Sequence, residues 1–288
     1  MSFTGKWGSH INTLEYTVVI WMGSVVAGFL GSLTGLGGGV VIVPMLTLLL
    51  NVNIRYAVGA SLISVIATSS GSAAAYVKEG FTNIRIAMFL ELATTFGALG
   101  GALLAARVPA PAIAVVFGIV LLHSAFVSMR KPVDQPWEGP PDKRAAWLRL
   151  DSAYPGRNGS VPYRVVNIPA GFSLMFLAGI LSGLLGIGSG AVKVLAMDRA
   201  MRVPFKVSTT TSNFMIGVTA AASAGVYLNR GYIDPGLAMP VMLGVLLGSV
   251  MGARILAGAK TKALRITFAV VILALGAEMI YSGLAGRL

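Results

Sequence analysis

Residues 27–106 of the chain lie over residues 178–257 at a constant offset of 151 with no gap, and 23 of the 80 aligned positions are identical. An ungapped match of that length means two halves of one design, so whatever the first half folds into, the second repeats. The shared positions include Gly35, Gly37 and Gly39 with Gly186, Gly188 and Gly190, Tyr76 with Tyr227, and Gly97 and Gly101 with Gly248 and Gly252.

The medium for these halves follows from composition. Hydrophobic residues make up 56% of the 288 positions and charged residues 11%, with a mean hydropathy of +0.80, a balance no ordinary soluble domain carries. Apolar runs recur at 16–33, 40–50, 56–77, 84–106, 110–129, 165–185, 191–197, 207–228, 236–257 and 263–285. Most approach the roughly 20 residues that a helix needs to cross about 30 Å of hydrocarbon. The two short ones are equivalent in the repeat, and each follows a glycine cluster. The expectation is an all-α polytopic integral membrane protein of about ten transmembrane segments in two inverted five-helix repeats. Residues 1–129 form the first repeat, 130–164 a polar linker and 165–288 the second repeat. The first apolar run has a counterpart in the second half, so it reads as a retained helix and not as a cleaved signal peptide.

Charge orients this arrangement. The net charge of +12 is distributed between the apolar runs, which points away from nucleic acid. Five passes per repeat put 16 Lys and Arg on one side and 5 on the other, whereas four passes give 12 against 9. The positive-inside rule therefore selects five, with the linker cytoplasmic and both termini outside the cytoplasmic (inner or plasma) membrane. An odd number of passes inverts the second repeat. Within the linker, Asp142–Leu150 reads either as a short interfacial helix resting Trp147, Leu148 and Leu150 on lipid or as a flexible solvated connector. The chain has no cysteine and two histidines, so no metal centre, disulfide or cofactor is expected.

Chemistry concentrates around the breaks. Gly35-Leu36-Gly37-Gly38-Gly39 and Gly186-Ile187-Gly188-Ser189-Gly190 each join a long run to a short one, and exposed amides at a helix start offer partial positive charge to an anion. Neither is a dinucleotide fingerprint, and no Walker A sequence occurs, so ATP is not the direct energy source. Lys193 lies inside an apolar arm, where a charge costs about 2.5–3.5 kcal/mol on insertion scales. An anionic substrate would compensate it, as would snorkelling to the interface or an ion pair with Asp198, Glu91 or Glu278. Its repeat equivalent is Ile42. Ser61, Thr68, Thr211, Ser212 and Asn213 lie within membrane runs, either as donors to an oxyanion or bonded back to the preceding turn. Glu91, His123 and Glu278 are ionisable groups deep in helices, candidates for coupling to H⁺ or Na⁺ or for bracing neighbouring helices.

The duplicated glycine clusters, Pro44 shortly after the first, and Lys206-Val207-Ser208-Thr209-Thr210-Thr211-Ser212-Asn213-Phe214 resemble the TauE/SafE family of sulfite and organosulfonate permeases. The resemblance covers nearly the whole chain apart from the linker. The second cluster departs from the family's glycine run at Ser189, and Leu195 stands where the first repeat has Pro44. The resemblance implies a secondary transporter of small sulfur-containing anions such as sulfite, sulfonates or sulfoacetate, working by alternating access. Gly37, Gly38, Gly39, Gly188, Ser189, Gly190, Lys193 and the nearby hydroxyls are expected to bind the anion. An anion channel, or a carrier of a non-sulfur anion, uses the same features. An enzyme needs a nucleophile with its base, a metal set or paired carboxylates, and none is spaced on one helix face.

Overall fold

The computed structural model describes residues 13–32, 38–78, 80–129, 139–140, 142–156, 159–256 and 261–287. In the first half α1 spans Thr13–Ser32, α2 Gly39–Pro44, α3 Ile54–Lys78, α4 Ile84–Ala105 and α5 Ala110–Met129. The linker holds α6 (Lys143–Trp147) and a hairpin of β1 (Ser152–Gly156) and β2 (Gly159–Tyr163). In the second half α7 spans Ile168–Leu185, α8 Gly190–Leu195, α9 Phe205–Asn229, α10 Pro235–Leu256 and α11 Thr261–Leu284. Both short helices run without interruption into a π-helical turn, Met45–Leu49 and Ala196–Ala200. The described parts of all ten apolar runs are almost entirely helical, a form that satisfies its backbone polar groups within itself and so is compatible with hydrocarbon. From α2 to α4 every boundary recurs in α8 to α10 after the offset of 151.

Packing exchanges the halves. The first-half helix α1 lies along α10, while its counterpart α7 lies along α4; α3 crosses α9, and α5 pairs with α11. A side chain at Gly28 would strike the carbonyl of Val245, and one at Gly179 that of Thr94. Gly248 faces the carbonyl of Val25 as Gly97 faces that of Phe176. Each contact is the other moved by one repeat, so the small residues that let two backbones touch do so twice.

The bundle has an apolar core, but its outer surface is apolar as well and a group of polar side chains lies inside. Val18, Met22 and Val26 on α1, Met88, Leu92 and Phe96 on α4, and Leu243, Leu247 and Val250 on α10 are exposed, whereas Ser61, Ser64, Thr94, Thr211, Thr219 and Lys193 are buried. An outer surface of this kind suits lipid. Helices α4 and α7 each contain an apolar window long enough to cross a membrane.

The two ends of the bundle differ. At one, Arg55 donates to the carbonyls of Ala105 and Val108, and Arg230 to that of Leu103. At the other, Lys206 places its ammonium 3.6 Å from the centre of the Phe81 ring, and Arg85 donates to the carbonyl of Arg149 in the linker.

The linker has the short helix that one reading of its sequence expects, with packing that neither reading expects. Asp142 caps a helix of only 5 residues by accepting from the Arg144 amide, and the hairpin follows with Tyr154 opposite Val161. Leu150 is 1% exposed and, with Ala145, Tyr163 and Val165, packs against Ile86, Ala87, Met175 and Met201. Among the three apolar residues expected at the lipid interface, Trp147 is the exposed one, at 82%. The linker buries its own apolar core against helix ends, which an extended connector does not do.

Candidate functional site

The second break is built from left-handed residues. Helix α7 ends at Gly186 with φ of 69°, Gly188 also has φ of 69°, and Ser189 has φ of 47°. Glycine accepts that conformation freely; Ser189 adopts it at a cost that its surroundings must hold. In the first break Gly38 lies against Gly28 and Val245. Gly35 and Gly37 lie outside the described residues.

The breaks from opposite halves meet. Ser61 Oγ donates to the Gly186 carbonyl at 2.8 Å, and a side chain at Gly39 would press on Ser61, Val65 and that same carbonyl. Ser212 Oγ donates to the Gly190 carbonyl at 3.3 Å. Between the breaks is a small cavity with room for about one water molecule, lined by Val40, Val120, Ser124, Ile187, Ser189 and Val192. Ser189 is 3% exposed, and its hydroxyl has no hydrogen-bond partner.

Not every expected hydroxyl is there. Thr68 bonds back to the Ser64 carbonyl at 3.0 Å, and Thr211 accepts the Asn83 amide at 3.1 Å, toward the linker end. Asn213 is half-buried on α9.

Lys193 is fully buried, and its ammonium donates to Thr219 Oγ1 at 2.5 Å. Thr219 Oγ1 lies 2.6 Å from Glu91 Oε1, which also accepts from Thr95 at 3.3 Å. The hydroxyl thus takes a hydrogen bond from the ammonium and gives one to the carboxylate, bridging α8 and α9 of the second half to α4 of the first. Glu91 Oε2 is buried without a partner. Of the partners that the sequence offered Lys193, Glu91 is the one it reaches. Asp198 lies 3.7 Å from Arg199, and Glu278 accepts from Ser282 at 3.1 Å on the exposed side of α11. His123 is exposed on α5. The only trace of Thr219 in the sequence is its identity with Thr68 across the repeat. The equivalents of Glu91 and Lys193 are Met242 and Ile42, so this charged chain is built once on a duplicated scaffold.

A family model described as "Sulfite exporter TauE/SafE" matches residues 20–279. Among curated proteins, "Probable membrane transporter protein YunE" of Bacillus subtilis (strain 168) is 27% identical over 282 residues, which is 94% of this chain and 99% of that one. "Probable membrane transporter protein YdhB" of the same organism is 24% identical over 82% of this chain and 87% of its own. "Probable membrane transporter protein MJ0441" of Methanocaldococcus jannaschii is 25% identical over 88% of this chain and 92% of its own. No solved structure gives a significant match.

Proposed function

The chain belongs to the sulfite exporter TauE/SafE family and is a membrane transporter, and from that premise we propose that it is a secondary carrier of a small sulfur-containing anion of the sulfite, sulfonate or sulfoacetate type. The observation that carries this reading is the meeting of the two glycine breaks, one from each half, beside the buried, unpartnered hydroxyl of Ser189; the cavity there has room for about one water, so the anion enters as the breaks move apart. A buried donor without an acceptor is costly, and an oxyanion supplies the acceptor. In this reading the anion lies against the helix-end amides at Gly38, Gly39 and Gly188–Gly190. Ser189 donates to it, Ser61 and Ser212 join by releasing the Gly186 and Gly190 carbonyls to which they now donate, and Lys193 supplies positive charge one turn along α8.

The membrane arrangement that goes with it is ten spans in two inverted repeats, with the linker cytoplasmic. The gathering of Arg55 and Arg230 at one end, and of Arg85, Lys206 and the linker at the other, supports it, because the positive-inside count divides the charges the same way. Rocking of one half against the other then exposes a fixed site to each side in turn.

Tracer counterflow in proteoliposomes tests the reading with a panel of sulfite, thiosulfate, methanesulfonate and sulfoacetate. Saturable counterflow of one of them is expected. Ser189→Ala should raise the half-saturating concentration about tenfold, the loss of one hydrogen bond to an anion, and Lys193→Met should abolish exchange. Flux that rises linearly with concentration and shows no counterflow would make the protein a channel. Silence with every sulfur anion would move its substrate outside this class.

A further inference from the structure

The carrier reading leaves open what compensates the anion's charge, and the chain Lys193–Thr219–Glu91 supplies an answer. We propose that Glu91 is the proton-coupling site of this transporter, and that one proton taken up on its carboxylate accompanies each anion that engages Lys193. The inference rests on the carrier reading above.

The Lys193 ammonium is fully buried and is joined to Glu91 through a single hydroxyl, Thr219 Oγ1, with bonds of 2.5 and 2.6 Å. An anion that draws this ammonium toward the breaks removes the charge that stabilises the carboxylate. A buried charge stripped of its partner is strongly disfavoured. The carboxylate is relieved by taking a proton from the water on the side to which the site is open, COO⁻ + H⁺ → COOH, and it gives that proton up when the anion leaves and Lys193 returns. Oε2, buried and unpartnered, is the oxygen available to carry it, since Oε1 already accepts from Thr219 and Thr95.

Among the described residues the surroundings leave this exchange to the pair: His123 on α5, which packs on α8, is exposed. Helix α7, packed on α4, has no titratable side chain. In α9 the titratable groups are Lys206, which sits over Phe81, and Tyr227, whose hydroxyl donates to the Leu184 carbonyl. The π-helical turn after α8 carries Asp198 and Arg199, which face each other. On α4 itself Arg85 is turned to the linker. Sodium is the competing coupling ion, because Thr95 and Thr219 bring hydroxyls to the same carboxylate. Accumulation under a sodium gradient alone separates the two. The chain also bridges the two halves, so rocking of one against the other acts on it directly. With Met242 and Ile42 at the equivalent positions, each protein has one such site and a monovalent anion moves without net charge.

Proteoliposomes containing an internal pH dye test this with methanesulfonate, which stays ionised and carries no proton itself, and with thiosulfate. For wild type, an acid-outside gradient should drive accumulation of the anion together with anion-dependent acidification of the lumen, and counterflow should fall as both sides are made alkaline. Glu91→Gln should lose gradient-driven accumulation altogether and exchange anion at a rate independent of pH. Thr219→Ser should keep the wild-type pH profile, and Thr219→Val should shift it. Accumulation driven by a sodium gradient, accumulation indifferent to the pH gradient, or a Glu91→Gln variant that still accumulates anion would overturn the assignment. If wild type shows no counterflow with any anion, the carrier reading itself fails and takes this inference with it. Should Glu91→Gln not assemble, infrared difference spectra of wild type on adding the transported anion decide the matter: protonation of one buried carboxyl is expected, and an unchanged carboxyl band overturns it.

Discussion

Asn83 shows how much one residue can join. Its Oδ1 accepts from the Ile86 amide at 3.0 Å and so caps α4, while its Nδ2 donates to the Leu150 carbonyl at 3.1 Å and to the Tyr163 hydroxyl at 2.7 Å. Its own amide donates to Thr211. One side chain thus ties α4 to the linker, and its backbone ties both to α9. Burial pushes the Tyr163 phenol up from its ordinary value, and the bond from Asn83 works against that shift. Asn83→Ala is expected to destabilise the protein by about 1–3 kcal/mol, the loss of a cap with buried partners left unpaired. Thermal unfolding in detergent measures it, together with faster proteolysis of the linker; an unchanged unfolding temperature would mean that the linker is held elsewhere. The repeat keeps the cap while changing the residue, since Asp234, the equivalent position, accepts from the Gly236 amide at 2.7 Å ahead of α10.

Among elements, the close pairs α1 with α10 and α4 with α7 depend on glycines that have a carbonyl where a side chain would go. Gly179→Val should force α7 away from α4 at a cost of about 1–3 kcal/mol or more, and Gly28→Val should do the same between α1 and α10. Gly100, on α4 with open space where its Cβ would lie, makes the control, and Gly100→Val should be tolerated. The yield of monodisperse protein in detergent reads all three. Equal losses at Gly100 and Gly179 would show that helix propensity, and not interhelical contact, sets the effect.

At the scale of the whole molecule the prediction is orientation. The chain has no cysteine, so single cysteines report cleanly. A cysteine at Gly286 should react with an impermeant maleimide in intact cells, and one at Trp147, which is 82% exposed, only after permeabilisation. The reverse pattern would invert the protein in its membrane, and labelling of both from one side would remove the odd number of passes.

Sequence alone determined the helices, their duplication and the places where the chain breaks. Those are local matters: apolar runs must be helical in hydrocarbon, a constant offset needs no structure to be seen, and glycine clusters mark where a helix can end. It also singled out Lys193 as a charge in need of compensation. Which group compensates it was decided by the tertiary structure, because Glu91 stands 128 positions from the hydroxyl that joins them and three carboxylates were equally available in one dimension. The same holds for the linker, whose polar composition hides Ala145, Leu150 and Tyr163, three residues that become a core only when the ends of α4 and α7 are beside them. Exchange of contacts between the halves likewise follows from packing: glycines at matching positions say that two backbones come close, and the fold alone says which two.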